Sequence, residues 1–170
     1  MQALTVNCGF MDARTVALTR DSIREREALL ERAREEWGDI LHSHSGAGYA
    51  WDSITDFDEG LLVLESPDGR LLGALSFCTR HGDEENIYVS RIGVIQKRRG
   101  YGKRLMQEVS RIAAAGGQGV VALPTDEGRL LFRGIVMRTR PGGDPHQLEY
   151  AFTPDEAKAF AERPPEIPVP

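Results

Sequence analysis

Cysteine is scarce: the 170 residues hold two, Cys8 and Cys78, far apart and without metal-ligand spacing. That excludes a disulfide framework and fits a reduced, cytoplasmic chain. No apolar run approaches the roughly 18 residues that a membrane-spanning helix needs. The opening Met1-Gln2-Ala3-Leu4 lacks the basic and apolar regions of a signal peptide, so none is expected. A basic excess is missing as well. The formal net charge is −5, from 21 Lys and Arg against 26 Asp and Glu, which argues against nucleic acid as a partner. No internal repeat is visible. What is present is ordinary for a globular chain, 41% hydrophobic and 28% charged, and its length fits one domain. We expect that domain over residues 1–163, with the proline-rich 164–170 as an extended tail.

The most informative stretch runs from Asn86 to Gly116. Asn86 to Val94 is rich in β-branched and aromatic residues and reads as a strand. Leu105, Met106, Val109, Ile112 and Ala113 recur at helical spacing. Between them lies a basic loop with two glycines, Lys97-Arg98-Arg99-Gly100-Tyr101-Gly102-Lys103. Strand, glycine loop and helix together present backbone N–H groups and a helix dipole to an anion, and the cations add charge at the same place. This is the pattern of a diphosphate-binding turn.

Elsewhere, Arg14 to Thr19 reads as a strand. A helix follows with Ser22 and Glu25 as a capping box, Leu29 or Leu30, Ala33 and Trp37 facing the sheet, and Gly38 as its stop. A further strand is conceivable at Leu4–Phe10. Leu61–Glu65 and Leu71–Cys78 form a hairpin around Ser66-Pro67-Asp68-Gly69-Arg70. Thr79–Glu85 is expected to link that hairpin to the strand at Asn86. Val120–Leu123 gives a strand parallel to Asn86–Val94. A short helix is expected from about Asp126 to Arg133, and a last hairpin pairs Ile135–Arg138 with Gln147–Phe152. Thr153 and Glu156 cap a final helix ending near Arg163.

Lys97-x-x-Gly100-x-Gly102, with the run Gly100 to Met106, resembles the Gln/Arg-x-x-Gly-x-Gly/Ala loop of the general N-acetyltransferase (GNAT) superfamily; lysine stands where glutamine or arginine is usual. The resemblance covers about Arg14 to Phe152. It implies an α/β (α+β) GNAT fold, a mixed central sheet with a splayed parallel strand pair and flanking helices. It implies acetyl-CoA as co-substrate, its diphosphate held by Lys97, Arg98, Arg99, Gly100, Tyr101, Gly102 and Lys103. Its pantetheine arm would run along Ser90, Arg91 and Ile92, in a gap where Gly93 marks a bulged strand. The activity implied is N-acetyl transfer to a primary amine.

Such transfer needs a proton acceptor for the amine and a proton donor for the thiolate. Family members that use a carboxylate base often carry it near the start of this strand. The counted position is Asn86, which cannot act as a base, so Glu85 becomes the candidate, with water as its alternative; Asp83-Glu84-Glu85 also reads as a solvated acidic turn. The family's acid is a tyrosine where this chain has Phe132, which leaves Tyr150 or Tyr88 to substitute, or water to protonate the thiolate. His42 and His44 sit in a glycine-rich segment without a third metal ligand, and Tyr49 and Trp51 are candidates to line an acceptor pocket. The acidic residues Asp56, Asp58, Glu59 and Asp83 to Glu85 suggest a cationic small-molecule amine or a protein amine as acceptor. No membrane partner is expected, and a monomer or homodimer is. Two competing readings are a non-catalytic module that binds CoA or a partner, motivated by Phe132, and a transferase with a non-CoA acyl donor.

Overall fold

The computed structural model of the protein describes residues 14–18, 23–38, 60–80, 82–123, 128–141 and 148–164. Among these, seven strands form one mixed sheet: β1 (Arg14–Leu18), β2 (Gly60–Glu65), β3 (Leu71–Arg80), β4 (Asp83–Val94), β5 (Gly119–Ala122), β6 (Arg138–Pro141) and β7 (Leu148–Phe152). The helices are α1 (Ile23–Trp37), α2 (Tyr101–Ala115), α3 (Gly128–Gly134) and α4 (Pro154–Ala161). Strand order is β1-β2-β3-β4-β5-β7-β6. Only β4 and β5 run parallel, which the helical crossover through α2 permits. The expectations at Leu4–Phe10, Ser22, His42 to Glu59, Asp126, Glu127, Gln147 and residues 165–170 lie outside the described residues.

Each face of the sheet has its own core. Leu62, Leu64, Leu75, Ile87, Val89, Val120, Ala122, Tyr150 and Phe152 meet Leu105, Met106, Val109 and Ala113 of α2, Phe132 of α3 and Phe160 of α4. Residues of α2 at helical spacing are thus the ones removed from water, each large one stabilising by about 1.5–3 kcal/mol. On the other face, α1 sets Leu29, Ala33 and Trp37 on Leu61, Val63, Leu71 and Ala74. The Trp37 indole donates to the Leu71 carbonyl at 3.1 Å, so this tryptophan serves the core. Gln107 and Arg111 of α2 donate to the carbonyls of Arg163 and Ala161, satisfying acceptors left open at the end of α4. The Thr153–Glu156 capping box forms as expected.

Three local expectations are corrected. Thr79–Glu85 is not a link: β3 continues to Arg80, β4 begins at Asp83, and Gly82, at φ 83°, helps close a tight turn. The bulge of β4 is not at Gly93. Ser76 pairs with Arg91 and Phe77 with Val89, which leaves Ser90 as the extra residue. Ile135 to Met137 form the exit from α3 rather than a strand, and β6 starts at Arg138.

Candidate active site

The parallel pair is short. Asn86 to Val89 of β4 pair with Gly119 to Ala122 of β5, and there the pairing stops. β4 runs on through Ser90 to Val94, paired only with β3. Its other edge, at Ser90, Arg91 and Ile92, therefore faces a gap beyond the end of β5, with backbone groups no longer engaged by that strand. Ser90 and Arg91 are exposed and Ile92 is half-buried. The positions expected to meet a pantetheine arm thus lie at the splay.

The gap leads to the glycine loop. Ile95 N–H still bonds to the Leu72 carbonyl at 2.9 Å, and the chain then leaves the sheet. Gln96 to Gly100 are exposed. Arg98 takes φ 63° and Gly100 φ 78°, two left-handed residues that turn the chain into α2. Gly100 is the N-cap, no side chain caps the helix, and its first turn holds no acidic residue. The first N–H groups of α2 and the positive end of its dipole are thereby left for an anion. Lys97, Arg98, Arg99 and Lys103 adjoin that point in the sequence.

The two glycines serve different needs. A Cβ on Gly100 would meet nothing within 4 Å, so its requirement is the backbone angle. A Cβ on Gly102 would lie 3.2 Å from a methyl of Leu131, so this glycine sets the approach of α3 to α2.

Glu85 is exposed near the start of β4. By strand alternation it shares the face of Ile87 and Val89, and four residues separate it from Val89, roughly 13 Å along a strand. Tyr150 lies beside the gap, because it pairs with Ala122, the last β5 residue to pair with Val89. Its ring stands 5.6 Å from that of Phe132, and Arg133 Nε donates to its hydroxyl at 3.3 Å. The residue at the family tyrosine's place and the candidate substitute are neighbours.

The opposite face carries a polar network that local sequence patterns did not reveal. The Tyr88 hydroxyl donates to Asp83 Oδ2, and Asn86 donates to Asp83 Oδ1 at 2.8 Å. Arg140 of β6 donates to Glu149 of β7 at 2.9 Å and makes a long 3.4 Å contact with the Tyr88 hydroxyl. It reaches β4 across β5 and β7, where Gly119, Val121 and Ala151 are small. The Arg80 guanidinium stacks 3.9 Å from the centre of the Tyr88 ring.

Titration follows from these contacts. Hydrogen bonds from Tyr88 and then Asn86 hold the Asp83 carboxyl below its usual range, against the smaller effect of burial. Burial pushes the Tyr88 hydroxyl up, and the hydrogen bond to Asp83 and that group's charge push the same way. Burial disfavours the Arg140 cation, but Glu149 and Tyr88 together outweigh it and raise its pKa. No group of three or more potential metal ligands occurs among the described residues. No helix among them is long and apolar enough to cross a membrane.

Comparison with known proteins agrees with this architecture. Tetrahymena GCN5 superposes with a TM-score of 0.57 at 16% identity, over 81% of this chain and 95% of that one. AtaTR, solved with bound acetyl-CoA, gives 0.58 at 14% identity, over 88% and 98%. Aminoglycoside 6′-acetyltransferase type Ii gives 0.55 at 15%, over 82% and 96%. No curated protein matches the sequence. The acetyltransferase (GNAT) family model matches residues 25–130, a span from α1 through the glycine loop into α3, and the chain belongs to that family.

Proposed function

We propose that this protein is an acetyl-CoA-dependent N-acetyltransferase acting on a primary amine. The observation that carries the reading is the continuity of three features: a strand edge at Ser90 to Ile92 that β5 no longer pairs, a left-handed turn at Arg98 and Gly100, and a helix N-terminus without a side-chain cap, flanked in the sequence by Lys97, Arg99 and Lys103. A pantetheine thioester fits the first, and a diphosphate fits the other two. That AtaTR is solved with acetyl-CoA supports this choice of donor.

In this reading the amine attacks the thioester carbonyl at the end of the parallel pair. Its proton passes to Glu85 through water, since Glu85 stands about four strand residues from the gap. The CoA thiolate leaves and takes a proton from Tyr150, whose hydroxyl accepts from Arg133 and keeps its own O–H to donate. Thermal shift with acetyl-CoA and thiol release over a panel of amines test the proposal together. A shift with thiol release supports it. A shift with no release from any amine favours a CoA-binding module, the reading that Phe132 motivates. No shift at all removes the CoA thioester as donor.

A further inference from the structure

Arg80 and Asp83 stand directly opposite each other at the closed end of the β3–β4 hairpin. A cross-strand arginine and aspartate in that position ordinarily pair. These do not. Asp83 turns to Tyr88 and Asn86, while Arg80 lies over the Tyr88 ring. No hydrogen bond or ion pair engages the Arg80 guanidinium among the described residues, so its donors remain unused. The Asp83 carboxylate accepts from Tyr88 and Asn86, with a smaller contribution from the Glu85 backbone, and a carboxylate has about four acceptor positions. Two opposite charges with bonding capacity open among the described residues thus flank one aromatic ring. They lie on the sheet face opposite α2, and Tyr88 is one residue before the point where β4 and β5 part.

Among the described residues of β4, β6 and β7 on this face, Glu84 is exposed beside Asp83, and the other charges are mostly cationic. Glu149 is buried and already bonded to Arg140, Arg138 is paired with Glu156, and Arg91 is exposed at the gap. Arg80, Arg91, Arg138 and Arg140 outnumber Asp83 and Glu84 among these residues, which disfavours a polycation there. We propose that the acceptor is a small zwitterionic amine, of the α-amino-acid type, whose ammonium is received by Asp83 and whose carboxylate is received by Arg80. The inference rests on the acetyltransferase reading above and deepens it. It replaces the expectation, drawn from the acidic residues of the sequence, that the acceptor is simply cationic.

Asp83 would hold the ammonium form, which first gives one proton to solvent water, and the neutral amine then attacks. The N–C bond to the acetyl carbon forms, the C–S bond breaks, and one proton leaves nitrogen while one reaches sulfur. The experiment measures thiol release from acetyl-CoA with each common L-α-amino acid beside its own amide, and with spermidine as a polycation. The expected result is that at least one free amino acid exceeds both its amide and spermidine by tenfold or more in kcat/KM. Arg80→Met should shrink that amino acid's advantage over its amide by at least tenfold, mainly through KM, and Arg80→Lys should restore part of it. Arg80 is exposed, so folding should survive the change, which the melting temperature reports. Preference for spermidine or for amides, or an Arg80→Met enzyme with an undiminished preference, would overturn the inference and leave the acetyltransferase reading standing. A thermal shift with acetyl-CoA but no thiol release from any of these acceptors would also overturn it. Absence of both shift and release would overturn the acetyltransferase reading, and this inference with it.

Discussion

Val136 is a β-branched residue at φ 66°, in the left-handed region that such side chains avoid. It is the residue that ends α3. Its N–H bonds to the Arg133 carbonyl and that of Met137 bonds to the Phe132 carbonyl, both at 3.1 Å, which is the Schellman pattern. Met137 and Phe132 are both buried, the apolar contact that accompanies this motif. Val136→Gly should therefore stabilise the protein by about 1 kcal/mol, since an L-residue with a side chain costs about 1–2 kcal/mol there. A rise of a few degrees in melting temperature checks it, and a fall would show that the exposed isopropyl group contributes contacts of its own. Gly134 is the last residue of α3, and the left-handed stop falls two positions beyond it. The stop falls where Phe132 and Met137 can both enter the core, a tertiary demand with no local signature. Gly100 is the opposite case, legible because its left-handed angle belongs to a loop whose residues all point the same way. Gly100→Ala should cost about 1–2 kcal/mol of strain if the loop keeps its shape. It should weaken acetyl-CoA binding by more than Gly102→Ala does, where Leu131 need give only a few tenths of an ångström. Equal affinities in the two variants, read by calorimetry, would contradict that ordering.

At the scale of elements, α2 does two jobs with different faces. Its apolar face fixes the helix on β2 to β5, and its N-terminus is left without a capping side chain. An uncapped helix start ordinarily forgoes about 1 kcal/mol, and here the open N–H groups are where the proposed diphosphate would sit. Charge at this end should act mostly through solvent. Arg99→Ala is expected to weaken acetyl-CoA binding several-fold in dilute buffer and much less near 1 M salt, where screening reaches about 3 Å. A salt-independent loss would mean that Arg99 acts through a fixed contact instead. The order of strands and helices around this loop was readable because each has its own periodicity and its own turn residues. The bulge was not. Gly93 marks a place where a strand is easily deformed, but the extra residue is Ser90, set by the register in which β3 and β4 align their buried faces. The tight turn at Gly82 has no local signature for a related reason: Asp83 and Glu84 look like a solvated loop, and it is Tyr88 and Asn86 that hold Asp83.

For the whole molecule, the network from Glu149 through Arg140 and Tyr88 to Asp83 joins residues of three strands and bridges the width of β5. No sequence window contains it, so only the folded sheet discloses it. Its titration has a defined sign. Asp83 is depressed in the folded state, so its contribution is present above the ordinary carboxylate range and is lost as pH falls through the folded value. Tyr88 is raised, so its contribution is present below its ordinary value near 10 and is lost as pH climbs through the folded one. Tyr88→Phe should flatten both arms of the stability profile relative to wild type. Urea melts at acid, neutral and alkaline pH measure this, and parallel profiles would remove the coupling. The other end of the network is less tolerant. Glu149 is 6% exposed at its side chain, and Arg140 is its partner at 2.9 Å. Arg140→Met would leave that carboxylate buried without its counter-ion, a loss on the order of 3–5 kcal/mol. Adding Glu149→Gln should recover much of the loss, because an amide tolerates the site without a cation. If Arg140→Met alone costs under about 1 kcal/mol, on the scale of an exposed pair, then the Glu149–Arg140 bond is not what ties β6 to β7.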